Sequence, residues 1–182
     1  MDDVVDFNAV DPDSIDDLRT ALIHQMDHLT AEVDALRSVV GIVPDAVQDG
    51  RPTPGDLTMK EIYGLIATLD RDVRPEQIRQ VTEGETPTLA PPDANALARD
   101  AGWNARDIHA ILDAVDAARA DLVATLRTLP TDAWSAAATY ADEPVTLAGL
   151  VHCYAQADLE RLRTLGHRLH DADLSDRSAP AE

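Results

Sequence analysis

Along the first quarter of the chain, apolar residues return at steps of three and four. Ile15, Leu18, Leu22, Met26, Leu29, Val33, Leu36 and Val40 fall on one stripe at about 100° per residue, the signature of an amphipathic helix. Asp11 or Ser14 suits its start, with Pro12 in the first turn, and Gly41 suits its stop. A second helix is predicted from Thr58, with Ile62, Leu65, Leu69 and Val73 on one face and capping-box spacing between Thr58 and Glu61. Pro75 should kink or restart it, leaving "PEQIRQV" as a short continuation. The third stripe runs through Ile108, Ile111, Val115, Ala118, Leu122, Leu126 and Leu129, and Pro130 ends it. Thr146 caps the fourth helix, whose stripe is Leu147, Leu150, Val151, Tyr154, Leu162, Leu165 and Leu169.

Between these segments the chain carries no convincing alternation of apolar and polar residues, so no strand is predicted. Four amphipathic helices without strands imply an all-α four-helix bundle. The connections "GIVPDAVQDGRPTPGDLT" and "TEGETPTLAPPDAN" are rich in Pro, Gly and Asp and read as long loops between helices 1 and 2 and helices 2 and 3. "TDAWSAAATYADEP" bridges helices 3 and 4. The expected organisation is an N-terminal extension over 1–10, a bundle over 11–170 and a flexible acidic tail over 171–182. Trp103 and Trp134 flank the third helix and are expected to plug the two ends of the bundle.

Composition narrows the functional classes. Aromatic residues are only 3% of the chain, so the core must be built from aliphatic side chains, which suits helices better than a β-sandwich. Against 34 acidic residues stand 15 basic ones, a net charge of −19. Such a surface repels phosphate backbones and anionic lipid, which argues against nucleic-acid and membrane partners. Lys60 is the single lysine, and aspartate excess with arginine as the basic residue reads as a salt-adapted, halophile-like composition, the alternative being an ordinary soluble acidic protein. The N-terminal "MDDVVDFNAVDPDSIDD" lacks a basic region and an apolar run, so no signal peptide is expected and the cytoplasm is the expected location.

Chemically, the stretch "HCYAQADLERL", His152 to Leu162, raises the sharpest question. A metal-holding helix often carries two histidines four residues apart, yet four residues after His152 comes Gln156. Asp158 falls on the buried stripe, where a carboxylate must be paired; Arg161 or a polar group from another helix is the natural partner. Cys153 is the lone cysteine, which rules out a disulfide framework and a cysteine zinc site. His24 and His28 share metal-pair spacing but point away from the apolar stripe. His109 is expected at the surface, and His167 and His170, near the C-terminal end of helix 4, can favour the helix dipole when protonated.

The order of three phrases, "KEIYGLIATLDRD", "AARADLVATLRTLPTDAW" and "VTLAGLVHCYAQADLERLRTL", resembles the DinB-like superfamily of four-helix bundles over residues 15–170. That superfamily includes metal-dependent thiol transferases. The resemblance implies a site where one histidine of helix 2 meets a spaced pair on helix 4. Those positions fall on Leu65, Ala157 and Arg161 here, with Asp158 retained between the last two. Leucine and alanine offer no lone pair, and a guanidinium repels a divalent cation. The expectation is therefore a pocket at Leu65, Ala157, Asp158 and Arg161 with no metal and no cofactor. His152 and Tyr154 are secondary candidates, and no catalytic residue is assigned.

The implied function is a non-catalytic binding or stress-associated bundle, with a homodimer as the candidate assembly and the small-molecule ligand unidentified. The alternatives are a thiol transferase or isomerase of the same superfamily using other ligands, and a structural bundle that binds a protein partner. Whichever holds, like-charge repulsion weakens the fold at low ionic strength. The melting temperature is expected to climb between low and molar potassium chloride; a flat or falling curve would remove the salt-adapted reading.

Overall fold

In the computed structural model the described residues run from 14 to 177, their side chains from 14 to 170. Four long helical segments form the body. They are α1 (Ile15–Val40), a composite second segment, α6 (Ile108–Thr128) and α7 (Leu147–Arg177). The composite is α3 (Met59–Thr68), a π-helical turn (Leu69–Val73) and α4 (Arg74–Glu83) in one run. Short helices α2 (Asp45–Gln48) and α5 (Ala94–Asp100) lie in the two long loops. The last helix continues to Arg177, past the boundary expected at 170; the extension 1–10 and residues 178–182 of the tail lie outside the described residues.

Contacts fix the order of helices around the bundle. α6 packs on both α1 and α3, and α7 likewise touches α1 and α3. Going round, the order is α1, α6, α3, α7, so the first and second helical segments are diagonal, and so are the third and fourth. Two connections must therefore cross the bundle ends, which accounts for their length.

One of these crossings adds a small sheet to the all-α bundle, where no strand was expected. Within it, β2 (Ala137–Tyr140) and β3 (Glu143–Thr146) form an antiparallel hairpin, and β1 (Thr88–Leu89), from the loop between α4 and α5, pairs parallel with β2. The hairpin turn places Ala141 and Asp142 at φ 52° and 67°, matching the twist of the flanking strands. Neither residue carries the Asn-Gly signature of such turns, and four-residue strands are too short for alternation to register. Pro144 sits on β3, the edge strand, where its missing N–H costs no ladder bond.

Two of the expected caps form, whereas Ser14 precedes α1 with no side-chain cap bond; Asp11 and Pro12 lie outside the described residues. Thr58 and Glu61 form a reciprocal capping box, and the Thr146 hydroxyl accepts from the Gly149 N–H at 3.1 Å. Pro75 restarts the helix as predicted, through the π turn. A regular helix would drive its ring into the carbonyl of Arg71; instead the Arg74 N–H bonds back to the Leu69 carbonyl, five residues earlier.

The second segment departs most from a one-faced helix. Every residue from Thr58 to Asp70 is buried, because α5 and the turn at Trp103–Ala105 cover its outer side. A core of Leu29, Val33, Met59, Tyr63, Ile66, Trp103, Ile111 and Val115 fills one end of the bundle. Leu22, Met26, Ile78, Leu122, Leu126, Trp134, Leu150 and Val151 fill the other. The two tryptophans thus serve opposite ends. Trp103 lies flat on Gly64 and donates its indole N–H to the Thr68 hydroxyl at 3.0 Å.

A β-carbon at Gly64 would stand 2.1 Å from the Trp103 ring. Gly64→Ala is therefore expected to destabilise by about 1–3 kcal/mol through overpacking, even though alanine favours helices. Urea unfolding measures it, and an unchanged midpoint would show that the indole has room to move.

Candidate functional site

At the bundle axis, four charged side chains are almost wholly removed from water: Asp70, Arg74, Arg119 and Asp158, each 1–2% exposed. Asp70 and Arg74 come from the π turn and the first residue of α4, four residues apart, so they meet along one helix face. Arg119 comes from the middle of α6, and Asp158 from the middle of α7. Because α6 and α7 are diagonal, the bond between Arg119 and Asp158 crosses the bundle.

The geometry is a closed lock. Arg74 grips Asp158 with both terminal nitrogens, Nη2 to Oδ1 at 2.7 Å and Nη1 to Oδ2 at 2.8 Å, and gives a further bond from Nη1 to Asp70 at 2.5 Å. Arg119 donates from Nε to Asp70 at 2.6 Å, from Nη2 to Asp158 at 2.5 Å and from Nη1 to the Met26 carbonyl of α1 at 3.1 Å. Arg161, one turn after Asp158, adds a bond to its Oδ1 at 3.1 Å. All four long segments are thus tied to one carboxylate–guanidinium cluster.

Electrostatics follow from the crowding. Burial alone would raise the Asp158 carboxyl, but the Arg74 and Arg119 guanidiniums outweigh it and hold it at about 2, below the ordinary 3.8. Arg74, despite its burial, is held more firmly protonated by Asp158 and Asp70. Arg161 moves the other way: burial and the neighbouring Arg74 charge lower it in spite of Asp158. Around the lock, the Tyr154 hydroxyl donates to Gln77 Oε1 at 2.8 Å, and the Arg74 guanidinium stands 5.0 Å over the Tyr154 ring.

No protein-family model matches the chain, and no curated protein matches it in sequence. Structure is more informative. YfiT from Bacillus subtilis, described as a probable metal-dependent hydrolase with an unusual four-helix bundle topology, superposes with a TM-score of 0.69. The match covers 88% of this chain and 89% of that one, at 16% sequence identity. The chain has a DinB-like four-helix-bundle fold. At that identity the DinB-like match speaks for the fold alone.

The positions singled out in the sequence are only partly brought together. Asp158 and Arg161 meet directly, and Ala157 sits half-buried beside them on α7. Leu65 packs instead with Leu69 and Ala98 beneath α5, and the helix-2 group that reaches Asp158 is Arg74, which also holds Asp70. Tyr154 belongs to the surround of the lock through Arg74 and Gln77. His152 is half-buried, and burial lowers its pKa. Cys153 is exposed, yet desolvation pushes its thiol up, away from the reactive thiolate. Among the described residues no three His, Cys, Asp or Glu side chains converge as a metal site would need.

Sequence reasoning missed Asp70, Arg74 and Arg119. One signal was available, since Arg119 lies between Val115 and Leu122 on the apolar face of its helix, where an arginine must have a buried anion. Asp158 is such an anion on the fourth helix.

The folded pKa of Asp158 lies below the unfolded one, so its stabilisation is complete above the ordinary 3.8 and is lost as pH falls toward 2. Asp158→Asn removes one side of a buried charge network and leaves the arginines uncompensated. It is expected to cost about 3–5 kcal/mol at neutral pH and to flatten the dependence of stability on pH below 4. Denaturant unfolding at several pH values checks both, and a cost under about 1 kcal/mol would place the charge network outside the folding energetics.

Proposed function

We propose that the chain is a metal-independent, non-catalytic binding protein built on the DinB-like bundle. The observation that carries this reading is the saturation of Asp158: both of its oxygens accept from guanidinium groups, four N–H bonds in all. A metal-dependent relative of this fold needs lone pairs directed at a cation. Here the retained aspartate has none to spare, and three fixed positive charges surround it. Asp70 is likewise engaged, by Arg74 and Arg119. The residues present do not fit a divalent metal.

The same chemistry weighs against the thiol-transferase alternative, which requires a Lewis acid to generate a thiolate. A lock of this kind serves binding in another way. It fixes the four helices around a rigid floor, so that a cleft beside it keeps its shape without a ligand. A role in a stress response and assembly as a homodimer are compatible with such a protein and belong to the same proposal.

Protein purified without a histidine tag is expected to carry no stoichiometric transition metal by elemental analysis, and to show no tight zinc or nickel site by calorimetric titration. One tightly bound metal per chain would overturn this reading and promote the enzyme alternative.

A further inference from the structure

Beside the lock, a cleft of about 120 Å³ opens between α1 and α7. Met26, Leu29, Ala155, Leu159 and Leu162 form its walls, Arg119 and Asp158 its floor, and Gln25, His28 and Glu32 its rim. A protein cavity of about 150 Å³ admits benzene, so this one suits a ligand slightly smaller than that.

We propose that this cleft binds a small monocarboxylate with a short aliphatic body, its carboxylate on Arg119 and its carbons against Met26, Leu29, Leu159 and Leu162. The inference rests on the reading of the chain as a metal-independent binding protein and names its ligand class.

Hydrogen-bond capacity decides the polar end. A carboxylate offers about four acceptor sites, and Asp158 already accepts four N–H bonds. The floor therefore has no acceptor left for a ligand amine or hydroxyl. Arg119 commits Nε to Asp70 and one hydrogen of Nη2 to Asp158, while Nη1 faces the carbonyl and sulfur of Met26. The second hydrogen of Nη2 is left over. What the floor can offer is a donor, and what it can receive is an acceptor.

Charge decides between a neutral acceptor and an anion. Three guanidiniums, Arg74, Arg119 and Arg161, face two carboxylates, Asp70 and Asp158, so the cluster carries one positive charge too many. A surplus cation at a mostly buried position is costly, and burial with the Arg74 field already disfavours the charged form of Arg161. One carboxylate in the cleft balances the sum. The Glu32 carboxylate, 3.7 Å from His28 at the rim, opposes a second negative charge and so selects a monoanion. The apolar walls select the aliphatic body.

Titration calorimetry of the chelator-treated full chain with propionate tests this, with propionamide and propylamine as matched probes. The carboxylate is expected to bind at one site per chain, the amide on the order of tenfold more weakly through loss of the charge-assisted bond, and the amine not at all. Leu159→Trp, which fills the cleft from a half-buried position, is expected to abolish binding with the thermal transition retained. Absence of saturable binding, equal affinity for the amide, binding of the amine, or binding that survives in a folded Leu159→Trp variant would each overturn the proposal. Chelation beforehand separates the two levels. Failure of the carboxylate to bind removes this site alone, whereas metal found in untreated protein removes the metal-independent reading beneath it.

Discussion

The buried pairing of Asp158 with Arg74 and Arg119 is the interaction on which the remainder of this structure depends. A carboxylate on α7 is gripped through two bonds by the second helical segment and through one by α6, while α6 reaches on to a backbone carbonyl of α1. Aliphatic packing is non-directional and tolerates small changes of register. Charge-assisted bonds at 2.5–2.8 Å do not, because a shift of one turn would leave ions buried without partners. The lock therefore selects one rotation and one height for each helix among the many that the apolar stripes would accept.

Such a centre is an odd one energetically. Replacing it with well-packed aliphatic side chains would often be neutral or stabilising, so its presence argues for specificity or use rather than for stability alone. The π turn points the same way. One wide turn admits Pro75 into a continuous helix and sets Asp70 and Arg74 at the axis together. Irregular turns of this kind are frequent at working sites. Beside the rigid centre lies a cleft with apolar walls and with Arg119 and Asp158 on its floor.

The contrast between interior and exterior is sharp. The chain carries 34 acidic residues against 15 basic ones, yet its axis gathers three arginines. At the surface, pairs such as Arg79 with Glu76 and Arg127 with Asp27 contribute little each and are weakened by salt. The same salt relieves the larger repulsion among unpaired carboxylates, whereas the buried lock is screened far less. Ionic strength therefore acts on the shell of this protein and leaves its centre largely alone.

Sequence by itself determined the four helices, their buried faces, the caps at Thr58 and Thr146 and the irregularity at Pro75, because each depends on residues within a turn or two of one another. It also marked Asp158 as anomalous, since helical periodicity places it among leucines. The partners were beyond its reach. Arg74 lies 84 residues from Asp158 and Arg119 lies 39 away, and no local pattern records which diagonal a helix will cross. Leu65 shows the same limit: periodicity established that it is buried, while only packing decided that it sits beneath α5 and away from the carboxylate. The β2–β3 hairpin was hidden for a related reason. Its strands are held by pairing across the crossing loop and by a parallel partner from β1, so their stability comes from contacts that exist only once the bundle has closed.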